Sequence, residues 1–213
     1  MAEEKTNQEK KEKNGIIVKF TKPYVFENEE YTEVDMTGLQ NLTIQDAINA
    51  QAAIFSEHED TSMSLCEMGT AFAREIAAKA SGLPIEFFKL MPIRESRKVK
   101  QTVQNFMDVE DLTENNVVHL HEPYTFTKSD KTQQTYTEID LSGIADLNSM
   151  NESEAENRLL RAGFLPVNMQ FNTLYACVIA SMGTGLPQEF FTGLPIKETM
   201  IIKNAATDKS FFE

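Results

Sequence analysis

Glu33 and Asp35 stand two residues apart in Tyr-Thr-Glu-Val-Asp, and Glu138 and Asp140 stand the same way in Tyr-Thr-Glu-Ile-Asp. Residues two apart on a strand point to one face, so each pair could ligate a cation or act as general acid and base. Either role needs convergent partners and a pocket that separates two pKa values. Neither pair has an obvious His, Cys or Lys partner nearby. A solvated strand face or turn support is therefore expected, with a partner-binding edge as the alternative. His119 and His121 share a strand face at a spacing a metal could bridge. Lys19 and Thr21 hold the corresponding places in the first half, so exposed-strand histidines are expected. His58, in the acidic loop 57–60, is given no role.

Cys66 and Cys177 do not fall at corresponding positions of the two halves and read as reduced core thiols of a cytoplasmic protein. No glycine-rich phosphate loop, Gly-x-Ser-x-Gly, paired-cysteine motif or helical His-Glu-x-x-His occurs. The expectation is a protein that is not an enzyme and needs no metal or cofactor. Gly-Leu-Pro-x-Glu-Phe-Phe occurs twice, placing Phe87 beside Phe88 and Phe190 beside Phe191. Neighbours on a helical turn diverge by about 100°, so one ring of each pair could fill the core while the other meets a partner. Core packing of both rings is the plainer reading. These four phenylalanines, with Glu33, Asp35, Glu138 and Asp140, are the candidate partner-binding residues.

The elements that must position them recur. Lys22-Pro23-Tyr24-Val25-Phe26 returns as Glu122-Pro123-Tyr124-Thr125-Phe126, residues 31–38 return as 136–143, and the block from Gly82 returns from Gly185. This predicts an α+β fold of two tandem copies of a small module, each an antiparallel β-hairpin followed by three to four helices. The second copy is five residues longer between Phe126 and Tyr136, where a hairpin tip lengthens at little entropic cost. Val18 and Phe20 alternate with Lys19 and Thr21, and Thr32, Val34 and Met36 with Tyr31, Glu33 and Asp35, so each strand has one buried and one wet face.

A first helix is expected after Thr43 with Ile44, Ala47, Ile48 and Phe55 on one face. Its more polar counterpart starts at a capping-box pattern from Ser149. A second is expected to be capped by Ser64 and Glu67, to carry Leu65, Met68, Phe72, Ile76 and Ala80 on a buried stripe, and to end at Gly82; Phe171, Tyr175, Ile179 and Gly183 match it. Pro84 and Pro187 suit the first position of short helical turns. Pro92 and Pro195 suit the start of the last helices, with Ile93, Val99, Val103 and Phe106 facing inward in the first copy. The predicted domains are a disordered charged tail at 1–15, copy one at 16–107, an acidic linker at 108–116 and copy two at 117–213.

With 41% hydrophobic and 25% charged residues, each half can bury a modest core without staples. No apolar run approaches the length of a membrane span, and the first residues lack the apolar stretch of a secretory signal. A net charge of -13 repels a phosphate backbone, which makes nucleic acid an unsuitable partner. The one basic cluster, Arg94, Arg97, Lys98 and Lys100, reads as a solvated helix face.

An opening strand, Pro-Tyr-x-Phe, Tyr-Thr-Glu-(Val/Ile)-Asp-(Met/Leu)-(Thr/Ser)-Gly, a polar helix and a small-residue helix closing on Gly-Leu-Pro together resemble the phage tail assembly chaperone family. The resemblance covers most of both halves, although such proteins are usually about one module long. It implies a non-virion protein of the bacterial host cytoplasm that binds the tape measure protein, keeps it soluble and helps tail tube subunits polymerise around it. Two linked modules could hold one tape measure at two places; self-association is left open. The alternatives are a structural adaptor of the tail and a regulatory protein-binding module.

Overall fold

Strand β1 (Ile17–Phe26) turns through Glu27 and Asn28 into β2 (Glu29–Asp35), and both turn residues have positive φ, 50° and 67°. That is the twist-matched two-residue hairpin turn, which asparagine tolerates at its second position. The computed structural model describes residues 15–57, 63–165 and 169–208. Residues 1–14 of the expected tail, and His58, lie outside the described residues.

Val18 pairs with Val34 and Tyr24 with Tyr31, and the register slips between Lys19 and Tyr24. Pro23 lies in that slip, where a residue with no N–H to donate interrupts no ladder. The slip also breaks the expected alternation. Val34 and Met36 are buried, but Thr32 is exposed, and Tyr31 from the supposedly wet set packs its ring 4.8 Å from Phe87.

In the second half β4 (Val117–Thr127) and β5 (Gln133–Asp140) repeat this pattern, with a slip between His119 and Tyr124. The longer tip falls between them, as the insertion predicts. A third strand, β3 (Thr113–Glu114), pairs with β4, so the second sheet has three strands rather than the expected two. Asn115 and Asn116, with φ of 49° and 64°, form the tight turn that brings it back.

After β2 come a 3₁₀ turn (Thr37–Asn41), α1 (Ile44–Glu57), a second 3₁₀ turn (Met63–Met68), α2 (Thr70–Ser81), α3 (Ile85–Lys89) and α4 (Ile93–Met107). After β5 the order is a 3₁₀ turn (Ser142–Asp146), α5 (Ser149–Arg161), a turn (Met169–Phe171), α6 (Thr173–Thr184), α7 (Gln188–Thr192), a turn (Ile196–Glu198) and α8 (Thr199–Ala206). Several local expectations shift. Helix α2 starts behind Gly69 with no side-chain cap, because Glu67 is drawn into a buried ion pair, and Met68 is exposed. Asn148, not Ser149, caps α5, accepting from Met150 N while Asn151 Oδ1 accepts from Asn148 N. The four prolines sit one residue before their helices, in extended conformation. Val99 and Val103 are buried as expected, whereas Ile93 is exposed.

Two apolar clusters form the core. One gathers Val18, Val34, Met36, Leu39, Phe72, Ile76, Phe87, Phe88, Val99 and Val103. The other gathers Val118, Ile139, Leu141, Ile144, Leu159, Ile179, Phe190, Phe191 and Ile202. They exchange residues across the middle of the chain. Helix α1 gives Ala47, Ala50 and Ile54 to the first cluster but Ile44 and Ile48 to the second, while Ile196 enters the first. Ile44 N donates to Leu194 O and Ile196 N donates to Leu42 O, each at 2.9 Å. Helix α6 packs against α1, α5 and α8, which is why it is apolar nearly all round rather than striped.

Gly38 and Gly143 close the two hairpin blocks at points of backbone contact. A Cβ on Gly38 would lie 2.0 Å from Ala80 O, and one on Gly143 would lie 2.2 Å from Gly183 O. Gly82 and Gly185 end α2 and α6 in left-handed conformation, at φ of 72° and 71°, the usual glycine stop.

Candidate partner-binding surface

The acidic pairs do not converge. Asp35 Oδ1 accepts from Thr37 N at 2.8 Å and Asp140 Oδ1 accepts from Ser142 N at 2.9 Å, fixing the exit from each hairpin into its 3₁₀ turn. Glu33 and Glu138 are exposed; Glu138 Oε2 lies 3.6 Å from His119 Nδ1. Among the described residues no group of His, Cys, Asp and Glu could hold a metal ion.

The hydroxyl and amide of Thr37 hold the Asp35 carboxyl below its usual range, and Ser142 does the same for Asp140. A carboxylate with a depressed folded pKa contributes stability above its unfolded value, and that contribution is lost as pH falls through the folded value. The urea midpoint is thus expected to decline below about pH 4. The Asp35→Asn/Asp140→Asn double variant should show a shallower decline, read from urea titrations across pH.

Phe87, Phe88, Phe190 and Phe191 are all buried, so these rings are core and present no surface to a partner. Phe87 is the hub of the first cluster's aromatics, meeting Tyr24, Phe26, Tyr31 and Phe88. Phe190 does the same for Tyr124, Phe126, Tyr136 and Phe191. Tyr24 Oη donates to Phe87 O at 3.1 Å. The repeated Pro-Tyr-x-Phe and Glu-Phe-Phe blocks are thus two sides of one contact.

Two buried carboxylates escaped sequence reasoning. Glu95 accepts from Thr21 N at 3.1 Å and pairs with Lys98 at 2.9 Å. Burial opposes its ionisation, but Lys98 and the Thr21 amide together hold its pKa below the usual range. Glu198 accepts from His121 N at 3.3 Å and faces His121 Nδ1 at 3.2 Å. His121 is therefore packed against a carboxylate, not displayed on a strand, and the register slip separates it from His119. Thr21 with Lys98 in one half corresponds to His121 in the other, a pairing visible only once Glu95 and Glu198 are placed against the strands.

A groove of about 350 Å³ lies where α4, α8 and the turn Met63–Met68 approach one another. Met68, Met107, Val109, Met200 and Ile201 supply its apolar lining, with Asp108 and Asp111 as acidic neighbours. Its residues are scattered over both halves, so no local motif announces it. Beside it, Glu67 Oε1 accepts from Lys203 Nζ at 2.6 Å, Gln51 Nε2 at 2.8 Å and Thr173 Oγ1 at 3.2 Å. All four side chains are buried.

Both cysteines are free and buried. Burial pushes each thiol up to about 12, with Glu67 adding to the effect at Cys66 and Lys203 opposing it. Neither is expected to react with Ellman's reagent near about pH 8 in the folded protein, and both should react in urea, since the thiolate is the nucleophile.

Residues 18–108 match the family described as phage tail assembly chaperone proteins, E, or 41 or 14. This matched segment is less than half of the chain, and over it the chain is similar to the phage tail assembly chaperones, a non-enzymatic kind of protein. No curated protein and no solved structure matches the chain. Among the described residues no helix is long and apolar enough to cross a membrane.

Proposed function

We propose that this protein is a non-catalytic chaperone that binds the tape measure protein, keeps it from aggregating and assists assembly of the tail tube around it. The family match over residues 18–108 carries this reading. The same order of elements after β4, together with the repeated sequence blocks, supports a tandem duplication of that module. The tail tube protein is the second partner, and the work is done in the bacterial host cytoplasm, with the chaperone left out of the mature virion.

We assign the tape measure to the groove between α4 and α8. An amphipathic helix presents a stripe that such a groove accepts, unbranched methionines adapt to varied apolar side chains, and the neighbouring carboxylates suit basic flanking residues. The faces carrying Glu33, Asp35, Glu138 and Asp140, on the edge strands β2 and β5, are a second contact. Co-expression with a tape measure fragment from the same genome tests the assignment. Copurification through size exclusion with improved fragment solubility is expected, as is its loss in Met68→Asp/Met200→Asp. If the fragment aggregates regardless and the chain elutes alone, a tail adaptor or regulatory module takes the chaperone's place.

A further inference from the structure

The chain contains its own template for a docking contact. Within the molecule, Leu194-Pro195-Ile196 seats on Leu42-Thr43-Ile44 through two backbone hydrogen bonds and an antiparallel bridge between Thr43 and Pro195. Ile196 is thereby fully buried. The first half carries the same corner as Met91-Pro92-Ile93, followed by Arg94-Glu95 where the second half has Lys197-Glu198. The backbone agrees as well: Pro92 has φ -53° and ψ 138°, Pro195 φ -52° and ψ 141°. Yet Ile93 is 72% exposed and the preceding Leu90 70%.

The second half carries the matching seat, Leu147-Asn148-Ser149. Leu147, at φ -70° and ψ 155°, repeats the conformation of Leu42, at φ -76° and ψ 149°. Among the described residues no hydrogen bond occupies the Leu147 carbonyl or the Ser149 amide, and Met150 beside them is 76% exposed. Donor corner and acceptor seat are thus each present twice, with one of each in use.

The flanks are charged in opposite senses. Where α1 has Ile44 and Ile48, α5 has Ser149 and Ser153, and the same stripe of α5 carries Glu152 and Glu156. Beside the free corner lie exposed Arg94 and Arg97. In a chain of net charge -13 this basic cluster is complementary to the acidic face of another copy's α5.

We propose that a second copy seats residues 147–150 on the corner formed by Met91, Pro92 and Ile93, repeating between molecules the contact made inside one. Such a contact joins different surfaces, so it links copies head to tail into a ring or an open filament. Serines in place of isoleucines make it weaker than the internal contact, and the charged flanks make it salt-sensitive. The proposal concerns this chain alone and does not depend on its tape measure.

Sedimentation velocity of the full chain over a range of concentrations tests it. At low salt the sedimentation coefficient should rise with concentration, and high salt should suppress the rise. Ile93→Asp, at a solvent-exposed position, should keep the wild-type melting temperature and weaken association on the order of tenfold or more, as loss of an interface anchor does. Ser149→Ile/Ser153→Ile, which rebuilds the apolar seat, should tighten it. A wild type that stays monomeric at every concentration overturns the proposal. So does association unchanged by Ile93→Asp, or unchanged by the rebuilt seat.

Discussion

Gly38→Ala is expected to destabilise the protein by about 2–4 kcal/mol, at or beyond the usual range for overpacking a filled site. The added methyl would lie 2.0 Å from Ala80 O, with Ala80 C at 2.9 Å and its Cα at 3.2 Å. A flexible side chain could swing away from it, but these atoms belong to the last turn of α2, which the glycine stop at Gly82 and the packing of Ile76 hold in place. Relief requires moving either the turn Thr37–Asn41 or the end of α2, and Leu39 in that turn is fully buried. Gly143→Ala should behave alike against Gly183 O. Urea unfolding of each variant checks this; a midpoint within about 0.5 kcal/mol of wild type, the range of inert surface changes, would mean that the turn is free to shift.

That glycine also shows what was legible in the sequence. Its recurrence at the end of both Tyr-Thr-Glu-x-Asp blocks was plain, and so were the hairpins, the helix stripes through Phe72 and Ile76, and the stops at Gly82 and Gly185. Those follow from local periodicity and turn chemistry. The reason for Gly38 was not legible, because the atom it must avoid belongs to a helix about forty residues later in the chain, and local rules carry no such distances. Met68 and Ile93 have the spacing of buried residues and lie in solvent for the same reason. The candidate site fared similarly. Phe87 and Phe190, named as candidate partner contacts with core packing as the plainer reading, are buried aromatic hubs of the core, while the methionine-lined groove draws on elements from both halves. Strand β3 was missed because two residues give no periodicity; Asn115-Asn116 was the available signal.

Lys203→Met alone is expected to cost about 3–5 kcal/mol, the usual penalty for leaving a buried charge without its partner. Glu67 and Lys203 are both almost wholly removed from water and 2.6 Å apart. Gln51 and Thr173 satisfy part of the remaining hydrogen-bonding capacity of the carboxylate, but neither can neutralise it. The Glu67→Leu/Lys203→Met double variant should recover part of the loss, since no unpaired charge remains, although Gln51 Nε2 and Thr173 Oγ1 lose their acceptor. Thr173 N would still donate to Gln51 Oε1, as it does at 3.2 Å. Urea midpoints of both single variants and the double complete the cycle. Single costs below about 1 kcal/mol, the scale of an exposed pair, would show that water reaches the site.

The exchange of isoleucines across the middle of the chain also bears on the order of folding during synthesis. Helix α1 leaves the ribosome early, yet the residues that cover its second apolar side, around Leu194 and Ile201, follow about 150 positions later; at roughly 5–20 residues per second that is a wait on the order of ten seconds. Throughout it the nascent first half carries Ile44, Ile48 and Phe55 without their final partners. Completion of the first half is thereby tied to the last stretch translated, and a ribosome that stalls before α7 leaves a sticky intermediate.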